Sequence, residues 1–566
     1  MNSRKKVLIV GMDGASPGLL FPWAQEGKLP NIARLIENGK HGTLLSTIPP
    51  ATFPAWSSFM TGTNPGKHGL YDFTTRVKGS YAVEFVNSTY RKTPTIWKLL
   101  NEAGYRVGVM GMPSTYPPEH LDGFMISGFD SPVATGIEGS FVWPGDLYGK
   151  IKREIGKYLI TDFQELRIGP GWHDRALEGL QKTIERKEQI ARFLLQNEDV
   201  DVFCVLFGES DTVSHHFWSA FDRQSPRFSE PLASRHAGSI LKVYRWIDSA
   251  IGSILQEFPE DSLILVASDH GFGGSGNEVL YLNRWLSQMG YLSFRDGGST
   301  LINGLEGLKS KLLGVVPVRF QEQLFRRFGG KIANTLESRL RFGSIDWDGT
   351  VAFSEELNYF PSIWMNVNGR EPEGKVSPGD EYEHLRDDII RDLENWMNPV
   401  SGSPIVKKAW RREELYQGDY VTDAPDIILE LALNRGYSYN VLPTRSTQGT
   451  ACFRTLATEE LIGSKGKGMN GSHRREGIYI VSGPSLRGQE EGQTFSIWDP
   501  AVTVLEFMGV EITDEMDGVD MSKSLREDAA SKASAQKWTR SVSQEPLSQS
   551  EQEEIAKRLR SLGYLE

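Results

Sequence analysis

Asp269 and His270 sit side by side after the apolar run Leu265-Val266-Ala267-Ser268 and before Gly271-Phe272-Gly273. A carboxylate and an imidazole at the end of a strand, next to glycine backbone, are donors suited to a transition metal. Four more such donors are scattered along the chain: Asp13 in Val10-Gly11-Met12-Asp13-Gly14, Asp211 and His215 in Ser210-Asp211-Thr212-Val213-Ser214-His215, and His473 in Asn470-Gly471-Ser472-His473. Together the six read as the ligand set of one two-metal centre. Thr52, in Pro50-Ala51-Thr52-Phe53-Pro54, stands where that centre would need a nucleophile.

Each residue alone has a plainer reading. Asp13 could close an Asx turn or cap a helix. An Asp–His pair at i, i+4 shares a helix face, where it holds one metal ion or makes an ordinary surface hydrogen bond. His216, next to it, points elsewhere on the same helix and is read as a support behind the ligands or as a structural residue. Thr52 could cap a helix that begins near Pro54. The same helix start would present free N–H groups to a phosphate, although a bare threonine hydroxyl needs a base or a metal to become a nucleophile. His473 carries weight only beside the others.

The elements that must position these groups follow from the apolar pattern. Short apolar runs at 6–12, 106–111, 201–207, 262–268 and 477–482 predict strands. Helices are expected at 30–38, 54–61, 95–103, 174–197 and 235–257; in the last, Ile240, Val243, Ile247, Ile251 and Ile254 recur at helical spacing. Strands alternating with helices predict an α/β fold with a mostly parallel central sheet and helices on both faces. Asp13 and Asp269 each follow a strand, where ligands bind in open sheets of this kind.

With 566 residues, the chain is long enough for two to four domains. Residues 283–343 mix basic side chains with leucine and phenylalanine and read as a helical insertion: a cap over the site, a membrane-surface contact or a solvated subdomain. A strand is expected at 424–430. Residues 522–566 form a polar linker and a terminal helix in which Ser550 and Glu553 fit a capping box. Ile555, Leu559 and Leu562 share a face that must dock on this chain's core or on a partner subunit. The catalytic domain is therefore placed at 1–282 and 344–521.

The net charge of −11 argues against coating a nucleic acid, yet it allows a small anionic substrate where bound metal dominates the local field. Two cysteines exclude a disulfide framework and favour a reducing compartment. No apolar stretch is long enough to span a bilayer. A cytoplasmic protein is expected.

The ordered segments Val10-Gly11-Met12-Asp13-Gly14, Ala51-Thr52-Phe53-Pro54-Ala55-Trp56, Thr61-Gly62-Thr63-Asn64-Pro65-Gly66-Lys67-His68-Gly69, Asp211-x-x-x-His215, Ser268-Asp269-His270-Gly271-Phe272 and Gly471-Ser472-His473 resemble the alkaline phosphatase superfamily. Within it, they look most like the type I phosphodiesterase/nucleotide pyrophosphatase family. The resemblance spans residues 5–285 and, in pieces, 350–520. It implies an alkaline-phosphatase-like fold, with Asp13, Asp269 and His270 as ligands of the metal that binds the threonine oxygen. It implies Asp211, His215 and His473 as ligands of the second metal, and Thr52 as the nucleophile of a phospho-threonine intermediate. Such a donor set suits two zinc ions best, with manganese or iron as alternatives. The implied activity is cleavage of a phosphodiester or pyrophosphate bond in a small phosphate-containing substrate.

One departure bears on the substrate. The family's phosphodiesterases place an asparagine about twenty residues after the nucleophile, where it helps to hold a phosphoryl oxygen. This chain has Tyr71-Asp72-Phe73 there, and a carboxylate at Asp72 would repel that oxygen unless protonated or paired. Lys67, Arg91 and the backbone at 52–55 are candidate replacements. Lys67 and His68 have a plainer role in a helix-ending turn. The alternatives are a phosphotransferase, mutase or phosphomonoesterase on the same core, or a non-catalytic binder. A sulfatase is disfavoured, because Ala51-Thr52-Phe53-Pro54-Ala55 lacks the cysteine or serine pattern that chemistry needs.

Overall fold

The structure is a computed structural model that describes residues 5–131, 139–160, 169–295, 342–444, 449–461, 467–484, 486, 493–524 and 555. Its strands around the site are β1 (Val7–Met12), β2 (Gly39–Leu45), β3 (Val107–Met110), β4 (Gly123–Ile126), β5 (Val142–Trp143), β6 (Val202–Phe207), β7 (Leu263–Ala267), β8 (Gly271–Leu280), β9 (Gly471–Arg474), β10 (Glu476–Ser482) and β11 (Phe495–Ser496). Nine of them form one sheet in the order β11-β2-β10-β7-β1-β6-β3-β4-β5. The five central strands, β7-β1-β6-β3-β4, all pair in parallel. The antiparallel pairings are towards the edges, at β2–β10, β10–β7 and β4–β5.

Alternation along β1 shows why the sheet is covered on both faces. Leu8, Val10 and Met12 enter one hydrophobic cluster, while Val7 and Ile9 enter another. A strand whose successive side chains point to opposite faces can be apolar throughout only if both faces are dry. Burying each such side chain stabilises the fold by about 1.5–3 kcal/mol.

Six helices provide much of the cover: α1 (Thr52–Thr61), α2 (Ile96–Glu102), α3 (Trp172–Asn197), α4 (Glu209–Phe221), α5 (Ser239–Leu255) and α6 (Asp499–Met508). Helices α3 and α5 pack in the first cluster, and α1, α2 and α6 in the second. The expected strands and helices agree closely with these and with the helix Pro30–Glu37, with one correction. The helix expected at 235–257 is two, Glu230–His236 and Ser239–Leu255, separated at Ala237-Gly238. The apolar period holds only from Ile240 onward.

A smaller lobe holds a four-stranded antiparallel sheet (Ala352–Phe353, Ser362–Met365, Ile427–Leu431, Val406–Arg411) with its own core. The strand expected at 424–430 is there, at Ile427–Leu431. Most of the expected insertion at 283–343, and of the tail at 522–566, lies outside the described residues. The described ends of the insertion belong to the smaller lobe, where Ser293–Phe294 pairs with Ile345–Asp346. In the tail, Ile555 is buried within the first cluster. Among the described residues no helix is long and apolar enough to cross a membrane.

Candidate active site

Three adjacent parallel strands bring the three aspartates together. In register, Met12 of β1 faces Phe207 of β6, and Gly11 faces Ala267 of β7. Their carboxyl ends therefore lie at one level. Asp13 directly follows β1, Asp269 follows β7 after Ser268, and Asp211 lies in the first turn of α4 just beyond β6. This is the strand-end crevice expected for an open α/β sheet.

His473 arrives differently. It was expected in a loop, but it lies in the strand β9, whose pairing with β8 sets Phe272 opposite His473. The ladder hydrogen bonds of Gly471–Arg474 need a partner, and the strand that begins at Gly271, right after His270, supplies one. That register stacks the rings of His270 and His473, with centroids 3.7 Å apart and 19° between planes.

All six expected donors are buried and converge. His270 Nε2 lies 3.6 Å from Asp13 Oδ1, 3.5 Å from Asp269 Oδ2 and 3.9 Å from Asp211 Oδ1. His215 Nε2 is 3.3 Å from Asp211 Oδ1 and 3.2 Å from His473 Nε2. Two groups have ligand atoms within mutual reach of one ion: Asp13, Asp269 and His270, and Asp211, His270 and His473. The first is the expected triad. The second has His270 where His215 was expected, with His215 in contact with both Asp211 and His473.

The tautomers of the three histidines follow from their partners. In each, Nδ1 faces a backbone carbonyl: Gly471 O at 3.1 Å for His215, Gly271 O at 3.0 Å for His270 and Pro50 O at 2.9 Å for His473. A carbonyl only accepts, so Nδ1 carries the proton and donates it. Each Nε2 turns its lone pair towards the carboxylates, the arrangement that metal-binding histidines adopt. Burial, and then the neighbouring Asp13 and Asp211 carboxylates, hold the Asp269 carboxyl well above the usual carboxylate range, against the hydrogen bond from Gly14 N. Three imidazole lone pairs and three clustered carboxylates form a donor set fit for multivalent cations.

Thr52 is fully buried and is the first residue of α1; the residue before the helix, Ala51, caps it without a side-chain hydrogen bond. Thr52 therefore does not cap the helix, and its Oγ1 makes no hydrogen bond among the described residues. Two contacts bracket it. The Pro50 carbonyl accepts from His473, and one turn into the helix Trp56 Nε1 donates to Asp13 Oδ2 at 3.1 Å. Thr52 thus lies between anchors for one donor of each group. Gly14 N also donates to Asp269 Oδ1 at 3.2 Å, tying the β1 and β7 turns together.

The candidate phosphoryl-binding residues lie among other partners. Lys67 pairs with Asp517 at 2.5 Å and donates to Glu515 O. Arg91 pairs with Glu119 at 2.8 Å and donates to Ser114 O. Asp72 is buried, next to Phe73, whose ring packs tilted at 37° against that of Phe53. His216 packs edge-on against Trp172.

The sequence reading missed Tyr359. Its ring lies parallel to that of His473, with centroids 4.0 Å apart and 6° between planes, and its hydroxyl is 3.5 Å from His215 Nδ1. The loop that carries it is pinned nearby. Glu356, at φ 55°, accepts from Asn283 N, Thr444 N and Thr444 Oγ1, and Asn358 accepts from Val441 N. No spacing in the sequence links residue 359 to the motifs; only the smaller lobe brings it there.

A family model for type I phosphodiesterase/nucleotide pyrophosphatase matches residues 7–450. Among solved structures, phosphonoacetate hydrolase from Sinorhizobium meliloti 1021, in complex with phosphonoformate, is 15% identical over 90% of this chain and 96% of its own, with a TM-score of 0.51. Human ectonucleotide pyrophosphatase/phosphodiesterase 5 is 12% identical over 93% of this chain and 100% of its own, with a TM-score of 0.49. The first shares the fold of this chain. No curated protein sequence gives a significant match.

Proposed function

From the chain's membership of the type I phosphodiesterase/nucleotide pyrophosphatase family of phosphoric ester hydrolases, within the alkaline phosphatase superfamily, we propose a two-metal phosphohydrolase that cleaves a phosphodiester or pyrophosphate bond, with Thr52 as nucleophile. The observation that carries this reading is the bracketing of Thr52 between Pro50, which holds His473, and Trp56, which holds Asp13.

Asp13, Asp269 and His270 would hold one ion, and Asp211 and His473, with His215, the other. Zinc suits this mixture of carboxylate and imidazole best, with manganese or iron as alternatives. Bound there, divalent ions would supply positive charge and lower the pKa of a nearby hydroxyl or water.

The protein's own part is positional. Helix α1 begins at Thr52, whose Oγ1 would attack from beside the donor cluster, and the free first-turn N–H groups of the same helix would stabilise an anion there. Attack by Thr52 on phosphorus would release the leaving group and leave a phospho-threonine, which water then cleaves. The carbonyls of Gly471, Gly271 and Pro50 keep each imidazole in the metal-binding tautomer throughout.

Initial rates on nitrophenyl phosphate, bis(nitrophenyl) phosphate and a dinucleotide, with and without a chelator, test the reading. The diester or the dinucleotide should be the fastest substrate, and chelation should abolish turnover. A protein loaded with zinc or manganese that cleaves none of the three would overturn it, whereas preference for the monoester would favour a phosphomonoesterase on the same core.

A further inference from the structure

A cavity of about 360 Å³ opens beside the donor cluster, between the segment at 48–50, the Tyr359 loop and the edge of the smaller sheet. His473 lies in its wall, so the cavity borders the proposed metal centre. Its volume is in the range of cavities that bind small organic groups.

The cations around it are not alike. Lys407 is paired with Glu430 at 2.6 Å. Arg474 and Arg475, which also line the cavity, have no carboxylate within ion-pair distance among the described residues. Arg474 commits its terminal nitrogens to neutral acceptors: Ser438 Oγ and the carbonyls of His473, Gly274 and Gly436. It is a fixed positive charge with no donor to spare there. Among the described residues the Arg475 side chain makes one hydrogen bond, from Nε to Ser46 O at 3.3 Å, which leaves both terminal NH2 groups for a ligand. A guanidinium with that edge available is shaped to take a carboxylate or phosphate through two parallel hydrogen bonds. Arg474 adds a second positive charge to the lining, offset in part by Glu476, so that with Lys407 and Glu430 paired the balance still favours an anion.

We propose that this cavity is an anion subsite. It takes a second negatively charged group, carried by the substrate beyond the reacting phosphorus, on the free edge of Arg475. This assignment rests on the phosphohydrolase reading above, and it narrows the substrate to phosphoric diesters or anhydrides with a further anionic group.

Two nitrophenyl phosphodiesters that differ only in the other arm, one ending in a carboxylate and one in its methyl ester, test the proposal. The wild-type protein should favour the carboxylate in kcat/KM by roughly tenfold or more, the worth of one charge-assisted contact. Arg475→Gln should bring that ratio to about one, and Arg475→Lys should restore part of it. A wild-type ratio near one, or an unchanged ratio in both variants, would overturn the subsite and leave the phosphohydrolase reading standing. Wild-type protein inactive on both esters would overturn that reading and the subsite with it.

Discussion

The Tyr359 ring covers one face of His473 while His270 covers the other, so the His473 imidazole is held in a three-ring stack. The stack fixes the plane of a proposed metal ligand, and the Pro50 carbonyl fixes its tautomer. Aromatic pairs of this kind are worth about 0.5–1.5 kcal/mol beyond the area they bury.

Tyr359→Ala should therefore weaken metal retention by roughly tenfold. Tyr359→Phe keeps the stack and loses only the 3.5 Å contact to His215, which is too long to count for much. It should behave like wild type in a metal-competition titration. Equal losses in the two variants would show that the hydroxyl, not the ring, is what matters.

Asp269→Asn tests the donor set itself. Asp269 Oδ1 is already used by Gly14 N, and Oδ2 faces His270. Removing its charge should drop metal content from about two ions per chain to about one. Turnover should fall by more than about a hundredfold, since even outer-shell partners cost about 10–100-fold. Two tightly held ions in the variant, measured by elemental analysis, would place the centre elsewhere.

His68 sets a pH dependence of stability. It is fully buried, Leu70 N donates to its Nδ1, and its Nε2 lies 3.0 Å from Ser58 Oγ. Protonating Nδ1 would set two N–H groups against each other. Burial, and then the Arg91 charge, lower the His68 pKa from 6.5 to about 3. The folded form thus holds His68 neutral where the unfolded chain takes up a proton. The contribution is intact above pH 6.5 and is lost as pH falls from there towards 3. The loss is on the order of a few kcal/mol. Urea unfolding of His68→Gln from neutral pH downward should show a flatter decline than wild type, and parallel curves would refute the assignment.

The strands and the strand-end donors were legible in the sequence because both follow local rules. An apolar run such as Leu263–Ala267 needs no partner to be recognised, and Asp269-His270 sits at its end. His473 was legible as a residue but not as part of a strand, since Gly471–Arg474 is four residues long and gains its ladder only from β8. Lys67 looked like a phosphate ligand by position, but its partner Asp517 is 450 residues away. Tyr359 left no local signal, because its role exists only once the smaller lobe packs against the catalytic sheet. What the sequence lacks is therefore long-range pairing, while local chemistry is largely written in it.

Thr52→Ala, measured for metal content and for turnover of bis(nitrophenyl) phosphate in the same preparation, tests the central claim most directly. The account predicts about two ions per chain, as in wild type, and a loss of turnover of at least about a thousandfold. A Thr52→Ala protein that keeps its metal and still turns over at a rate near wild type would contradict it, because water rather than Thr52 would then attack phosphorus.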